Sequence, residues 1–377
     1  MYKIDNLQSQ TLQNLASRTA LGIYTKTHAT FENTRLARFA LQSQAAKLLP
    51  KERVKSCLRC RIDASISVGV KYNTKREKAH YSNLQRCGSV WHCPVCASII
   101  TEKRRAEIKK AIDAHDGGLY MLTLTIPHYM GDNLESLLLG FRGALKRFFN
   151  GTRKSKAIWA DMGKIGHIKA LEVTHGRNGW HPHYHILIFT KQELPKDYDT
   201  APLLELWQNS CRLAKLPIPN EKYGLNWKKG DYSGYISKWG IDSEMTKGHV
   251  KSGRNGNATA WDLLKMSMLE GGEQFGKLFQ EFAICFKGSR QLDWSRGLKA
   301  MFSIDNKTDE ELAEETEKTS VDFDTVERQF FDLLRRYQCR AYYLELCELD
   351  YKDGGDRRYQ LIAELAKLEY ERLLLAA

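Results

Sequence analysis

The chain has 377 residues, 42% hydrophobic and 27% charged, the balance of a soluble globular protein with room for two or three domains. No apolar run approaches the length that crosses a bilayer, and residues 1–20 lack the apolar core of a signal peptide. Membrane and secretory functions are thereby set aside, the cytoplasm is the expected compartment, and a net charge of +13 suits a polyanionic partner.

That charge is unevenly placed. Residues 305–377 carry 11 Lys/Arg against 19 Asp/Glu, whereas residues 1–304 carry 47 against 26, so the positive field belongs to the body of the chain. Five of the nine cysteines fall between Cys57 and Cys96. Clustered cysteines in a long chain without a secretion signal point to metal binding more than to disulfides.

Residues 1–55 are polar, with a helical period over 35–49. Cys57-Leu-Arg-Cys60 opens the next segment and Cys93-Pro-Val-Cys96 closes it. Two such pairs can present four thiolates, Cys57, Cys60, Cys93 and Cys96, to one tetrahedral Zn²⁺ of structural type, with no position open to substrate. The 32 intervening residues exceed the usual spacing, and Cys87 and His92 are available substitutes. A helix over 97–113 follows, and its Lys103, Arg104 and Arg105 are candidate phosphate contacts.

Residues 119–126 form a β-rich run stopped by Pro127, and Asn133 is placed to cap a helix over 134–150. Residues 165–174 and 183–190 read as two further strands, joined into a hairpin by Gly176-Arg-Asn-Gly179, with Pro182 tolerated only at the strand entry. Alternation along the second strand puts His181, His183 and His185 on one face, with Glu172 on the strand beside them. A helix over 201–214 precedes Asp231-Tyr-Ser-Gly-Tyr-Ile-Ser-Lys238, in which Tyr235 shares a helical face with both Asp231 and Lys238. Arg254 heads a basic loop before a helix over 261–270 and is a further DNA-contact candidate. The acidic tail reads as helical.

Glu172, His183 and His185 together make a mixed N/O ligand set that leaves coordination positions open. Such a set suits Mg²⁺ or Mn²⁺ holding a phosphate, with Zn²⁺ also compatible and His181 a competing third ligand. A tyrosine can attack phosphorus covalently where such an ion neutralises the developing charge; Tyr235 is the candidate and Tyr232 its rival.

With these parts in this order the chain resembles the rolling-circle plasmid replication initiators of the HUH endonuclease superfamily, single-tyrosine type. The resemblance rests on Leu122-Thr-Leu-Thr125, Trp180-His-Pro-His-Tyr-His185, Asp231-Tyr-Ser-Gly-Tyr-Ile-Ser-Lys238, the cysteine segment ending at Cys96, and Lys287-Gly-Ser-Arg-Gln-Leu-Asp-Trp-Ser295. It covers roughly residues 56–300. It implies that His183 and His185 bind the catalytic metal and that Tyr235 nicks one strand at a plasmid origin. A 5′-phosphotyrosyl enzyme and a 3′-hydroxyl that primes the host polymerase would result. Asp231, where close relatives often carry Glu, would activate water at termination, and Lys238 would steady the scissile phosphate.

The expected fold is α+β, a central antiparallel sheet with flanking helices. The expected segments are 1–55, a zinc-ribbon-like 56–115, a nicking-joining nuclease domain 116–300, and a helical acidic tail 301–377. Expected partners are double-stranded origin DNA with a single-stranded nick site, and the host replication helicase and polymerase in a bacterial cytoplasm. An HUH transposase or mobilisation relaxase is the alternative enzyme, and a zinc-ribbon DNA-binding regulator the non-catalytic one.

Overall fold

Nine strands form among the described residues, the longest of them rich in β-branched and aromatic residues, and all are paired antiparallel. The computed structural model describes residues 35–229, 257–314 and 320–376. In chain order the strands are β1 (Val68–Asn73), β2 (Lys78–Ser82), β3 (Gly118–Thr125), β4 (Lys164–Gly176) and β5 (Gly179–Thr190), then β6 (Leu225–Lys229), β7 (Ala258–Thr259), β8 (Leu292–Trp294) and β9 (Ser320–Val326). The α+β class with antiparallel sheets and flanking helices is as expected. Among the described residues no helix is long and apolar enough to cross a membrane.

The chain divides into two units, Met1–Cys96 with Asp309–Ala377, and Ala97–Thr308. These cut across the four expected segments. The acidic tail is not separate from the cysteine segment, because β9 pairs with β1 in a three-stranded sheet of order β2-β1-β9. Nor is the tail wholly helical: Val321, Phe323 and Thr325 alternate with Asp322 and Asp324, a strand period that the helical reading passed over. Its acids have internal partners. Glu348, 8% exposed, takes Arg35 at 2.5 Å, Lys78 at 3.2 Å and the Ala79 amide at 2.9 Å. Asp350 and Asp324 hold Arg358 at 3.0 and 2.9 Å. Buried carboxylates require such pairing, and these three find theirs within the same unit.

In the second unit the sheet order is β6-β3-β5-β4-β7, with β8 on β4. Register fixes its two faces: Met121 lies opposite Leu187, Ile168 opposite Leu187, and Leu119 opposite Phe189. These side chains pack with Ile108 and Ala111 of the helix Pro94–Asp113 and with Leu298 and Phe302, which draws that helix into this unit from Ala97 onward. On the other face Tyr184 meets Phe141 of the helix Leu134–Asn150 edge-on at 4.8 Å, and Trp207 of the helix Ala201–Leu213 lies against Phe141 at 5.7 Å. Asn133 caps the former helix by accepting from the Ser136 amide, as its sequence position predicts.

The hairpin extends further than expected. Strand β5 begins at Gly179, so Pro182 lies within it and not at its entry. β3 ends at Thr125, opposite His183, so beyond that point β5 has a strand neighbour on one side only among the described residues. A strand with one open side is where proline is tolerated. Gly179 has φ +81°, and a Cβ there would come within 2.9 Å of the Tyr129 carbonyl, which reserves the position for glycine.

At the other end of β4, His167 stacks on Phe149 with ring centroids 4.1 Å apart. Burial, and then the charges of Lys164 and Lys169, push its imidazole down to about 2. The unfolded chain takes up a proton near the ordinary imidazole value of about 6.5, and the folded chain does not. Stability is therefore whole above that pH and declines below it, by up to about 1.4 kcal/mol per pH unit. Urea unfolding of His167→Phe, which keeps the stack, should show about 2 kcal/mol less loss between pH 8 and pH 5 than the unaltered chain. Parallel pH profiles would contradict this.

Candidate functional site

Going down β5 from Phe189 toward Gly179, the face that begins in the apolar core turns polar. Leu187 gives way to His185 and His183, and on β4 Ile168 and Ala170 give way to Glu172. Glu172 is the register partner of His183. Its Oε2 lies 2.9 Å from His183 Nε2 and 3.0 Å from His185 Nε2. The three expected residues thus converge on one point. On the far side, His185 Nδ1 is 3.1 Å from Thr123 Oγ1 on β3, a contact that orients the ring and assigns Nε2 to the shared centre.

Burial raises the Glu172 carboxyl, but the hydrogen bonds and charges of His183 and His185 outweigh it and hold the group well below the usual carboxylate range. The side chain keeps 36% of its surface, so the anion is reachable from solvent although protein atoms crowd it. One carboxylate and two neutral imidazoles leave a divalent cation with net positive charge, the condition for holding phosphate. Donor separations of 2.9 and 3.0 Å match the cis edge of an octahedron with metal–ligand bonds of about 2.1 Å. His183 Nδ1 is buried without a hydrogen-bond partner among the described residues. The donor types and their spacing, not that nitrogen, are what fit such an ion.

His181, the competing ligand, turns to His128 instead. Its Nδ1 is 3.3 Å from the His128 ring nitrogens, with centroids 4.5 Å apart. Asp231, Tyr232, Tyr235, Lys238 and Arg254 lie outside the described residues.

A second group of possible ligands lies in the first unit: Cys57, Cys87, Cys93 and Cys96, all buried. Sulfur separations are 3.7 Å (Cys57–Cys93), 3.6 Å (Cys57–Cys96) and 3.7 Å (Cys87–Cys96). A tetrahedron with Zn–S bonds of about 2.3 Å has edges of about 3.8 Å. The set fits a structural metal, and it corrects one expected ligand. Cys60 is not in the group; Cys87 is. The backbone explains the exchange. The Leu58 amide donates to Gln85 O at 2.7 Å and the Gln85 amide to Cys60 O at 2.8 Å, with a bridge between Arg61 and Leu84. This pairing spends the Cys60 carbonyl on Gln85, leaves Cys60 in a turn whose amide donates to Ser56 O, and delivers Cys87, two positions after Gln85, to the sulfur group.

Around the sulfurs, Gln42 Nε2 donates to Cys93 Sγ at 3.4 Å. Arg340, only 3% exposed, donates to Leu58 O at 2.5 Å and lies over the Phe39 ring. Sequence reasoning missed Arg340, because it stands 244 to 283 positions from the four cysteines and has no motif.

Of the expected phosphate contacts, Arg104 is held internally. It bonds Glu107 at 2.9 and 3.0 Å and Lys307 O at 2.9 Å, and keeps only 12% of its side-chain surface. Arg105 pairs with Glu102 at 3.0 Å. Lys103 lies on the same helix.

The family model described as Replication protein matches residues 78–340, about 70% of the chain. The chain belongs to that family. A relative named Protein rep, from Streptomyces lividans, is 29% identical over 294 residues, covering 59% of this chain and 64% of the relative. A Streptomyces cyanogenus protein named Neomycin resistance protein is 30% identical over 132 residues, covering 28% of this chain and 30% of that protein. The chain thus spans less than two thirds of the length of either replication-protein relative or resistance-protein relative. No solved structure matches it significantly. The family match takes in both ligand groups apart from Cys57.

Proposed function

We propose that this replication protein starts rolling-circle plasmid replication by nicking and rejoining one strand at the origin. The observation that carries the reading is the convergence of Glu172, His183 and His185 on the interior strands β4 and β5 of a chain in the replication-protein family. A Mg²⁺ or Mn²⁺ held by these three would polarise the scissile phosphate and neutralise its developing charge. Tyr235 is the nucleophile in this reading. Its phenolic oxygen bonds to phosphorus as the P–O3′ bond breaks, leaving a 5′-phosphotyrosyl linkage and a protonated 3′-hydroxyl. Lys238 steadies the phosphate, and Asp231 serves as the base for water at termination. A zinc ion on Cys57, Cys87, Cys93 and Cys96 has a structural role, since four thiolates leave no open position.

The deciding experiment is cleavage of single-stranded origin DNA, with the protein–DNA adduct mapped by mass spectrometry. Tyr235→Phe should bind the strand and form no adduct. An adduct in the Tyr235→Phe protein would reject the assignment, and tight binding without any cleavage by the unaltered chain would favour a DNA-binding regulator.

A further inference from the structure

Two exposed tyrosines follow and precede strands that border the Glu172, His183 and His185 triad. Tyr129, 62% exposed, follows the end of β3, next to His128, whose ring packs on that of His181; the His181 ring is 5.2 Å from that of His183. Tyr223, 65% exposed, precedes β6, and its carbonyl accepts from the hydroxyl of Thr125, the register partner of His183. Single exposed aromatics are common on any surface. These two differ in that their backbones are anchored while their rings are presented to solvent. The Tyr129 amide donates to Asp132 Oδ2 at 2.7 Å, and the Asp132 amide returns to Tyr129 O at 3.1 Å. This turn rests on Gly179, where a Cβ would come within 2.9 Å of Tyr129 O. The Tyr223 amide donates to Asn220 Oδ1 at 2.8 Å. Met130, 65% exposed, adds apolar surface beside Tyr129. Lys222, its ammonium 5.0 Å from the Tyr223 ring centroid, supplies a charge for phosphate.

Resting on the nicking reading, we infer that Tyr129 and Tyr223 are base-stacking platforms that hold the single strand beside the triad. A tyrosine face accepts any base, and a fixed backbone lets a ring stack without first being ordered. A duplex keeps its bases stacked on one another and offers no free face, so the platforms select an unpaired strand. The acids nearby, Asp132 and Glu221, offset the Lys222 charge, which leaves stacking as the principal attraction at these two points.

The test is fluorescence anisotropy with a labelled single-stranded oligonucleotide and a duplex of the same sequence, in a Tyr235→Phe background so that cleavage does not intrude. Tyr129→Ala and Tyr223→Ala should each weaken strand binding by roughly fivefold to a hundredfold, and leave duplex binding and the melting temperature unchanged. Tyr129→Phe and Tyr223→Phe should bind as the parent does. Equal strand affinity in the alanine variants, or equal loss for strand and duplex, overturns the platforms. Cleavage by the otherwise unaltered chain is scored separately. A protein that cleaves while its alanine variants bind normally refutes the stacking inference alone, whereas a stacking loss without cleavage refutes the nicking reading alone.

Discussion

Glu172→Ala is expected to slow single-turnover cleavage of a labelled origin strand on the order of a thousandfold, because it removes the only charged donor of the triad. Metal-ion stabilisation of a phosphoryl transition state is worth several kcal/mol, and each 1.4 kcal/mol is about a factor of ten. Without the carboxylate, His183 and His185 also lose the oxygen that both now contact at 2.9 and 3.0 Å, so the rings no longer aim at a common point. Thr123→Val should act more gently, roughly tenfold to a hundredfold on Mn²⁺ affinity, since Thr123 touches only the far nitrogen of His185. Excess Mn²⁺ should restore Thr123→Val and leave Glu172→Ala slow. Near-normal cleavage by Glu172→Ala, together with loss in His181→Ala, would transfer the third ligand to His181.

The hairpin that carries this site was legible because its determinants are local. Alternation over residues 181–189, glycines at 176 and 179, and a two-residue turn between them define register without any distant information. What escaped the sequence depends on pairings between remote segments. The exchange of Cys60 for Cys87 follows from backbone bonds between residues 58–60 and 85. Joining the tail to the cysteine segment follows from β9 pairing with β1, some 250 residues away. Charge was misleading in a related way. Arg104 looked like a phosphate contact by its neighbours in sequence, yet its guanidinium is spent on Glu107 and a carbonyl brought in by residue 307. Composition gives the sign of a side chain, whereas its availability is decided by the fold.

The cysteine group supplies the sharpest test of that distinction. Cys87→Ser is expected to abolish retention of one zinc per chain, and Cys60→Ser to leave it intact, by elemental analysis after gel filtration. A structural zinc contributes binding energy of about 10–16 kcal/mol that is also folding energy, so Cys87→Ser and chelator treatment should both expose the first unit to proteolysis. The tail should open with it. Arg340 is buried among Leu58 O, Gln42 and the Phe39 ring; burial, and then the Arg59 cation, push its guanidinium down to about 9, with Tyr81 and the Cys57 sulfur acting the other way. A metal with four thiolates carries two negative charges, which is the counter-charge that a buried guanidinium needs. Arg340→Met, similar in length and uncharged, should therefore release zinc to a chelator faster than the unaltered chain does, and should loosen the helix Arg340–Asp353 from β1 and β2. Zinc held as tightly by Arg340→Met would show that the cation serves packing alone, and zinc lost from Cys60→Ser would restore the ligand set that the cysteine spacing first indicated.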